Sequence, residues 1–136
     1  MSYHVSVLTD LSAVAEYTYA DDDGVDPRWV VAVALHFAEG VLVIEAEPDT
    51  DQVEMRLQPD AELKYWAGGS ATADASQRAV WSGLLGADCG WRWQLTNQQG
   101  YTDGAQVELA TGRDRTTTLQ WVCVASALKE ARVTLV

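Results

Sequence analysis

Hydrophobic residues in this chain fall into two patterns. Residues 28–37 read RWVVAVALHF and residues 41–47 read VLVIEAE, two nearly continuous apolar runs separated by the short link AEG. Paired β-branched runs around a glycine-containing link predict an antiparallel hairpin. Val31, Val33, Leu35 and Phe37 are expected on one face of its first strand, and Leu42, Ile44 and Ala46 continue an apolar face in the second. Val41 and Val43 predict partial cover on the opposite side, because a strand wetted on one face alternates instead. Such alternation follows in QVEMRLQ, residues 52–58, where Val53, Met55 and Leu57 are expected inward and Glu54 and Arg56 outward. Upstream, LSAVAEYTYA at 11–20 places Ala13, Ala15, Tyr17 and Tyr19 on one face of a strand, although its alanines would also tolerate a helix.

The pattern breaks at AGGSATADAS, residues 67–76, where small residues and paired glycines predict a mobile loop. Asp74 followed by Gln77 resembles a capping box, and Val80, Trp81, Leu84 and Leu85 then form one helical face that Gly86 ends. One short helix is expected there. Alternation returns with Trp91, Trp93 and Leu95, expected as a core-facing set, and continues with Ala105, Val107 and Leu109. After the turn TGRDR come Leu119, Trp121, Cys123 and Ala125 on one face, and RVTLV at 132–136 reads as a final strand. These elements predict a mostly β, α+β fold: a bent antiparallel sheet or small open barrel of about seven strands with one short helix. At least five of the six tryptophans are expected to be partly buried.

A chain of 136 residues with 48% hydrophobic content can bury a core without disulfide or metal staples, and it reads as one globular domain over residues 1–136. Cys89 and Cys123 belong to no C-x-x-C or Cys/His cluster, so they read as reduced thiols of a cytoplasmic protein. The beginning, MSYHVSVLTD, lacks the basic and apolar regions of a secretory signal. The longest apolar run, WVVAVALHFA, is half of the roughly 20 residues that a membrane-spanning helix needs, so no membrane association is expected.

Charge sharpens the picture. Residues 1–62 carry 14 Asp and Glu against Arg28 and Arg56, a balance of −12, whereas residues 63–136 carry 6 against 7 Lys and Arg, a balance of +1. An acidic half repels phosphate backbones and disfavours nucleic acid; it keeps the protein dissolved and fits a protein partner with a basic surface.

The enzyme-like motifs fail on context. DDDGV, 21–25, matches the D-x-D-G-[TV] pattern of haloacid-dehalogenase-type phosphatases, but that motif must follow a central parallel strand and here an antiparallel meander follows. The same stretch lacks the position-5 ligand, the position-6 glycine and the position-12 glutamate of an EF-hand. Asp49 and Asp51, with Glu54 nearby, form a weak candidate cation site that hairpin-turn chemistry explains better. His4 lies near a terminus and His36 on a strand face, neither at a spacing that identifies a nucleophile. Neither G-x-S-x-G nor a P-loop occurs, and no cofactor or metal is expected.

The candidate site is instead WRWQLTNQQGYTDG, residues 91–104. Asn97, Gln98 and Gln99 supply donors and acceptors without a titratable group, Tyr101 adds a ring with a polar tip, and Asp103 next to Gly104 reads as a turn carboxylate. Such groups recognise a partner or brace their own backbone; they do not readily move protons at neutral pH. This loop, followed by AQVEL and preceded by DTDQVEM, resembles a family of small uncharacterised bacterial proteins that share a W-x-W-x-x-T-N-Q-Q-G-Y-x-D-G segment. The resemblance spans roughly Arg28 to Ser126 and implies no catalytic residues. The expected role is a non-enzymatic protein-binding module, in its most specific form an immunity-type inhibitor of a basic partner. Its binding residues would be Asn97, Gln98, Gln99, Tyr101 and Asp103 together with Asp49, Asp51 and Glu54. The alternatives are a small-molecule-binding or enzymatic domain using residues 97–104 as a pocket, and a homo-oligomer joined through sheet edges.

Overall fold

The computed structural model describes residues 7–21, 23–112 and 115–133. Among these residues, nine strands form two antiparallel sheets. The first contains β1 (Ala13–Asp21), β2 (Gly24–Phe37), β3 (Gly40–Glu47), β4 (Gln52–Gln58) and β5 (Ser70–Asp74), in the order β4-β3-β2-β1-β5. The second is a meander of β6 (Asp88–Thr96), β7 (Thr102–Ala110), β8 (Thr116–Val124) and β9 (Ala127–Val133). The expected mostly β class holds, with two separate sheets and nine strands in place of one bent sheet or open barrel of about seven.

The main core lies between the sheets and joins Val14, Val33, Leu35, Leu42 and Ile44 of the first to Val107, Leu109, Leu119 and Trp121 of the second. Leu8 and Leu11 enter it from the segment before β1, which Leu8 ties to Cys89 through a bridge. Trp81 and Trp121 stack inside it with ring centroids 6.0 Å apart.

A second core covers the far face of the first sheet. Ala34 and Val43 pack there against Leu63 and Trp66 of the connection between β4 and β5, with Tyr17, Tyr19 and Trp29 alongside. What fixes this cover is Glu45, a fully buried carboxylate on the same face. It accepts from the backbone N–H groups of Lys64 (3.0 Å), Tyr65 (2.8 Å) and Trp66 (3.1 Å) and from Arg56 Nη2 (2.7 Å). The indole of Trp66 donates to the Ala46 carbonyl at 2.6 Å. Four donors on one carboxylate satisfy a charge that could not otherwise be buried.

Several expectations are corrected. Val31 belongs to the covering core rather than to the face of Val33 and Leu35, because the β1–β2 register slips where Tyr17 pairs with Ala32 and Thr18 with Val30. The expected mobile loop at 67–76 contains β5, an edge strand whose small residues pair backbone to backbone with β1 and so leave no hydrophobic signal. The helix is a single turn, α1 (Ala79–Ser82), with Arg78 at its N-cap; Asp74 bonds the Ser76 N–H instead of forming a box with Gln77, and Leu85 is exposed. Of the last strand, residues 134–136 lie outside the described residues, as do His4 and Arg113 and Asp114 of the TGRDR turn.

The largest correction concerns β6. Cys89 pairs with Leu109 and Arg92 with Val107, so three steps on β6 match two on β7. One extra residue reverses which side each later side chain takes. Trp93 therefore stands opposite Gln106 on the outer face, and Trp91 and Trp93 are 51% and 38% exposed with nearly parallel rings 6.1 Å apart. The strand is where the alternation placed it, but its tryptophans are surface and four of the six, not five, are at least partly buried.

Candidate functional site

The amide segment forms the β6–β7 hairpin loop. It spans residues 97–101, since Thr102, Asp103 and Gly104 already belong to β7, so the expected eight-residue loop is five residues long. Asn97 is its frame. The Asn97 N–H donates to the Tyr101 carbonyl (2.8 Å), and the Gly100 N–H donates to the Asn97 carbonyl (3.1 Å). Its side-chain Oδ1 accepts from the N–H groups of Gln99 (2.9 Å) and Tyr101 (3.1 Å), and its Nδ2 reaches Asp103 Oδ2 at 3.4 Å. Gly100 takes the left-handed conformation, φ 87°, that the reversal requires. Asn97 and Asp103 thus face back into the loop, while Gln98, Gln99 and Tyr101 are exposed.

Two other turns meet this loop. The Thr102 N–H donates to Gln52 Oε1 (3.2 Å), which ties the loop to the start of β4. Asp51, in the turn before β4, accepts from the Ser126 N–H (2.8 Å) in the β8–β9 turn, and Ser126 Oγ donates to the Pro48 carbonyl (2.8 Å). The Trp29 indole donates to the Ser126 carbonyl at 3.2 Å. Asp51, Ala125 and Ser126 all have positive φ, between 52° and 64°, a strain that these cross-sheet bonds hold in place. One end of the molecule is therefore built from three turns, with the β6–β7 loop and the β8–β9 turn each bonded to the segment from Pro48 to Gln52.

The sequence-derived candidates divide accordingly. Asn97, Asp51 and Asp103 are braces. Asp49 is exposed beside Asp51 and has no partner among the described residues. Glu54 is placed elsewhere, on the covered side of the first sheet, where it accepts from Tyr65 Oη at 2.6 Å and lies 3.5 Å from both Arg56 and Lys64. Burial works against its charge, but these three partners outweigh it and hold the carboxyl below its ordinary range. Asp21 and Asp23 sit in the β1–β2 hairpin, where the Asp23 N–H donates to Asp21 Oδ1; Asp22 lies outside the described residues.

The exposed groups of this end are amides, a phenol and a carboxylate. Cys123 lies nearby, 4.0 Å from Asp51, and burial together with the charges of Asp51 and Asp103 pushes its thiol up to about 11. Cys89, at the opposite end of the second sheet, is also raised by burial, so neither thiol is a thiolate nucleophile at neutral pH. Among the described residues, no group of three His, Cys, Asp or Glu side chains is placed to hold a metal ion, and no helix is long and apolar enough to cross a membrane. The two clefts described lie on the flanks and are not lined by residues 97–104.

Sequence reasoning missed one constellation, in the second of these flank clefts. Arg78 Nε lies 2.9 Å from Glu16 on β1, and its Nη2 lies 3.1 Å from Glu130 on β9. The signal was available: Glu16 alternates in phase with Val14 on the strand face that turns inward.

The fold and site define a class, antiparallel two-sheet proteins whose turns are pinned together at one end. The chain matches, over residues 4–136, a family of unknown function (DUF6334), and it belongs to that family. No curated protein and no solved structure matches it significantly.

Proposed function

We propose that the protein is a non-enzymatic protein-binding module whose contact surface is the three-turn end, with Gln98, Gln99, Tyr101 and Asp49 reaching toward the partner. The carrying observation is that Asn97 holds the loop from within while the amides and the tyrosine remain outside. A loop braced in this way loses little entropy on docking, and a tyrosine flanked by amides gives adaptable contacts at low entropic cost. The partner is a protein with a basic surface, because the acidic residues concentrate in the first 62 positions, which supply β1 to β4 and their turns. In its most specific form the module is an immunity-type inhibitor of that partner in the cytoplasm.

The test is affinity capture from the native host with three baits. The unaltered protein and a control variant that leaves the loop side chains intact, Arg132→Ala, are expected to retain the same basic protein, and a Gln99→Ala, Tyr101→Ala, Asp49→Lys variant is expected to lose it. Retention by the triple variant, or capture of no basic protein by any bait, would sink the reading.

A further inference from the structure

The flank between the two sheets carries a feature that neither the core nor the three-turn end explains. Two carboxylates point into the sandwich from opposite sheets. Glu16 pairs with Val33 across β1 and β2, and Glu130 pairs with Trp121 across β9 and β8, so both share a face with buried core residues. Their side chains are only 14% and 22% exposed. Inward-facing positions at a sandwich margin are ordinarily apolar, and a carboxylate placed there must be compensated.

The compensation comes from one side chain reaching in from solvent. Arg78 stands at the N-cap of α1, with its backbone tied to Ala75 and to the first helical turn. Its side chain is 47% exposed and spans the mouth, Nε to Glu16 and Nη2 to both oxygens of Glu130 at 3.1 and 3.3 Å. Burial still pushes the Glu16 carboxyl above its ordinary range, against the pull of Arg78 and with Glu130 adding to the rise. A single half-exposed guanidinium therefore leaves Glu16 incompletely compensated.

Behind Arg78 the sheets leave a cleft of about 290 Å³, walled by Val30, Val33, Leu128 and the ring of Trp121, with Lys129 at its rim. Trp121 is 1% exposed, and its indole N–H, like that of Trp81 stacked on it, has no acceptor among the described residues. A buried donor without an acceptor costs stability in the free protein, and an acceptor brought to it would recover that cost.

We propose that this cleft is a binding site for a guanidinium group carried on a short stem with a hydrogen-bond acceptor, and that Arg78 occupies the same carboxylates as an internal plug. The planar fork of a guanidinium can engage Glu16 and Glu130 together, as Arg78 does; an ammonium offers a point charge without that geometry. The stem lies against the apolar walls, and the acceptor takes the Trp121 N–H. The incoming group displaces the guanidinium of Arg78, which swings outward about its own helix cap. The site is separate from the three-turn end and does not depend on the role proposed for it.

The test uses nitrogen-labelled full-length protein, following the Trp121 indole N–H resonance, assigned by Trp121→Phe, while N-acetyl-arginine is added. Binding is expected in the unaltered protein and about tenfold tighter binding in Arg78→Ala, because the plug is gone. N-acetyl-lysine is expected to bind more weakly in both. Adding Glu16→Gln and Glu130→Gln to Arg78→Ala is expected to abolish the response, while unchanged resonances of the other indoles report that the fold persists. A blocked arginine tripeptide distinguishes the source: a response equal to that of N-acetyl-arginine supports a protein side chain as the ligand, and a response to N-acetyl-arginine alone supports a small molecule. An unshifted Trp121 resonance with both probes in Arg78→Ala, or equal affinity after both glutamates are replaced, overturns the proposal.

Discussion

The two sheets are built from similar strands but live in different surroundings. The first is covered on both faces, by the second sheet on one side and by the Leu63–Trp66 segment on the other. The second buries one face and carries exposed side chains, Trp91, Trp93 and Val124 among them, on the other. The difference appears directly in sequence as run against alternation. β3 reads VLVIEA with all six residues buried, whereas β8 buries Leu119, Trp121 and Cys123 and leaves Gln120 and Val122 half-buried between them. Continuous apolarity therefore reports the number of covered faces, not only the presence of a strand.

The same substitution on each sheet is expected to have very different costs. Val43→Asp places an unpaired charge under the cover of the first sheet, where Val43 is fully buried. It is expected to cost at least about 4 kcal/mol in urea unfolding, enough to abolish the fold of a marginal domain. Next comes Glu45→Ala, which strands three backbone donors and Arg56 beneath the cover; a loss of about 3–5 kcal/mol is expected. If Glu45→Ala proves nearly neutral, the second core is decoration and the first sheet behaves like the second.

Smaller effects are expected at the periphery. Asn97→Ala removes two acceptor bonds from an exposed loop and should cost about 1 kcal/mol, with faster amide exchange at Gln99 and Tyr101 as its local signature. Acid should act on the first sheet in particular. Glu54 on β4 and Asp74 on β5 are both held below their ordinary pKa, Asp74 by the Ser76 backbone and hydroxyl, so their contribution is present at neutral pH and is lost as pH falls through their lowered folded pKa values. Glu16 runs the other way, because its raised pKa means that protonation favours the folded state as pH falls toward 4.5. Glu54→Gln is thus expected to flatten the acid limb of a stability titration, and Glu16→Gln to leave stability at neutral pH unchanged or slightly higher. The smallest effect is expected for Val124→Asp on the wet face, about 0.5 kcal/mol or less by urea unfolding.

Much of the fold was legible because burial writes itself into residue order. The hairpin at 28–47, the third strand, and the strands around Trp121 follow from apolar runs and alternation alone. What escaped had no apolar signature. β5 pairs through its backbone and carries Ser, Ala, Thr, Ala and Asp; the bulges that moved Val31 and the two tryptophans are changes of count rather than of residue type. At the candidate site, the amide loop was legible as a loop, and Asn97 as brace rather than contact required the hydrogen bonds. Asp51 and Glu54 read as free acids because sequence does not reveal that Ser126, 75 residues away, or Tyr65 will meet them. The Glu16–Arg78–Glu130 cluster joins three distant segments and could be read only as an inward-phase glutamate.

The extra residue between Cys89 and Arg92 also bears on how this surface can change by descent. Because β6 carries three residues where β7 carries two, the outward position of Trp91 and Trp93 is encoded in the length of the strand. Base substitutions can alter which side chains that face presents, but they cannot turn the face over. Loss or gain of a single codon can, and would trade two surface indoles for core in one step.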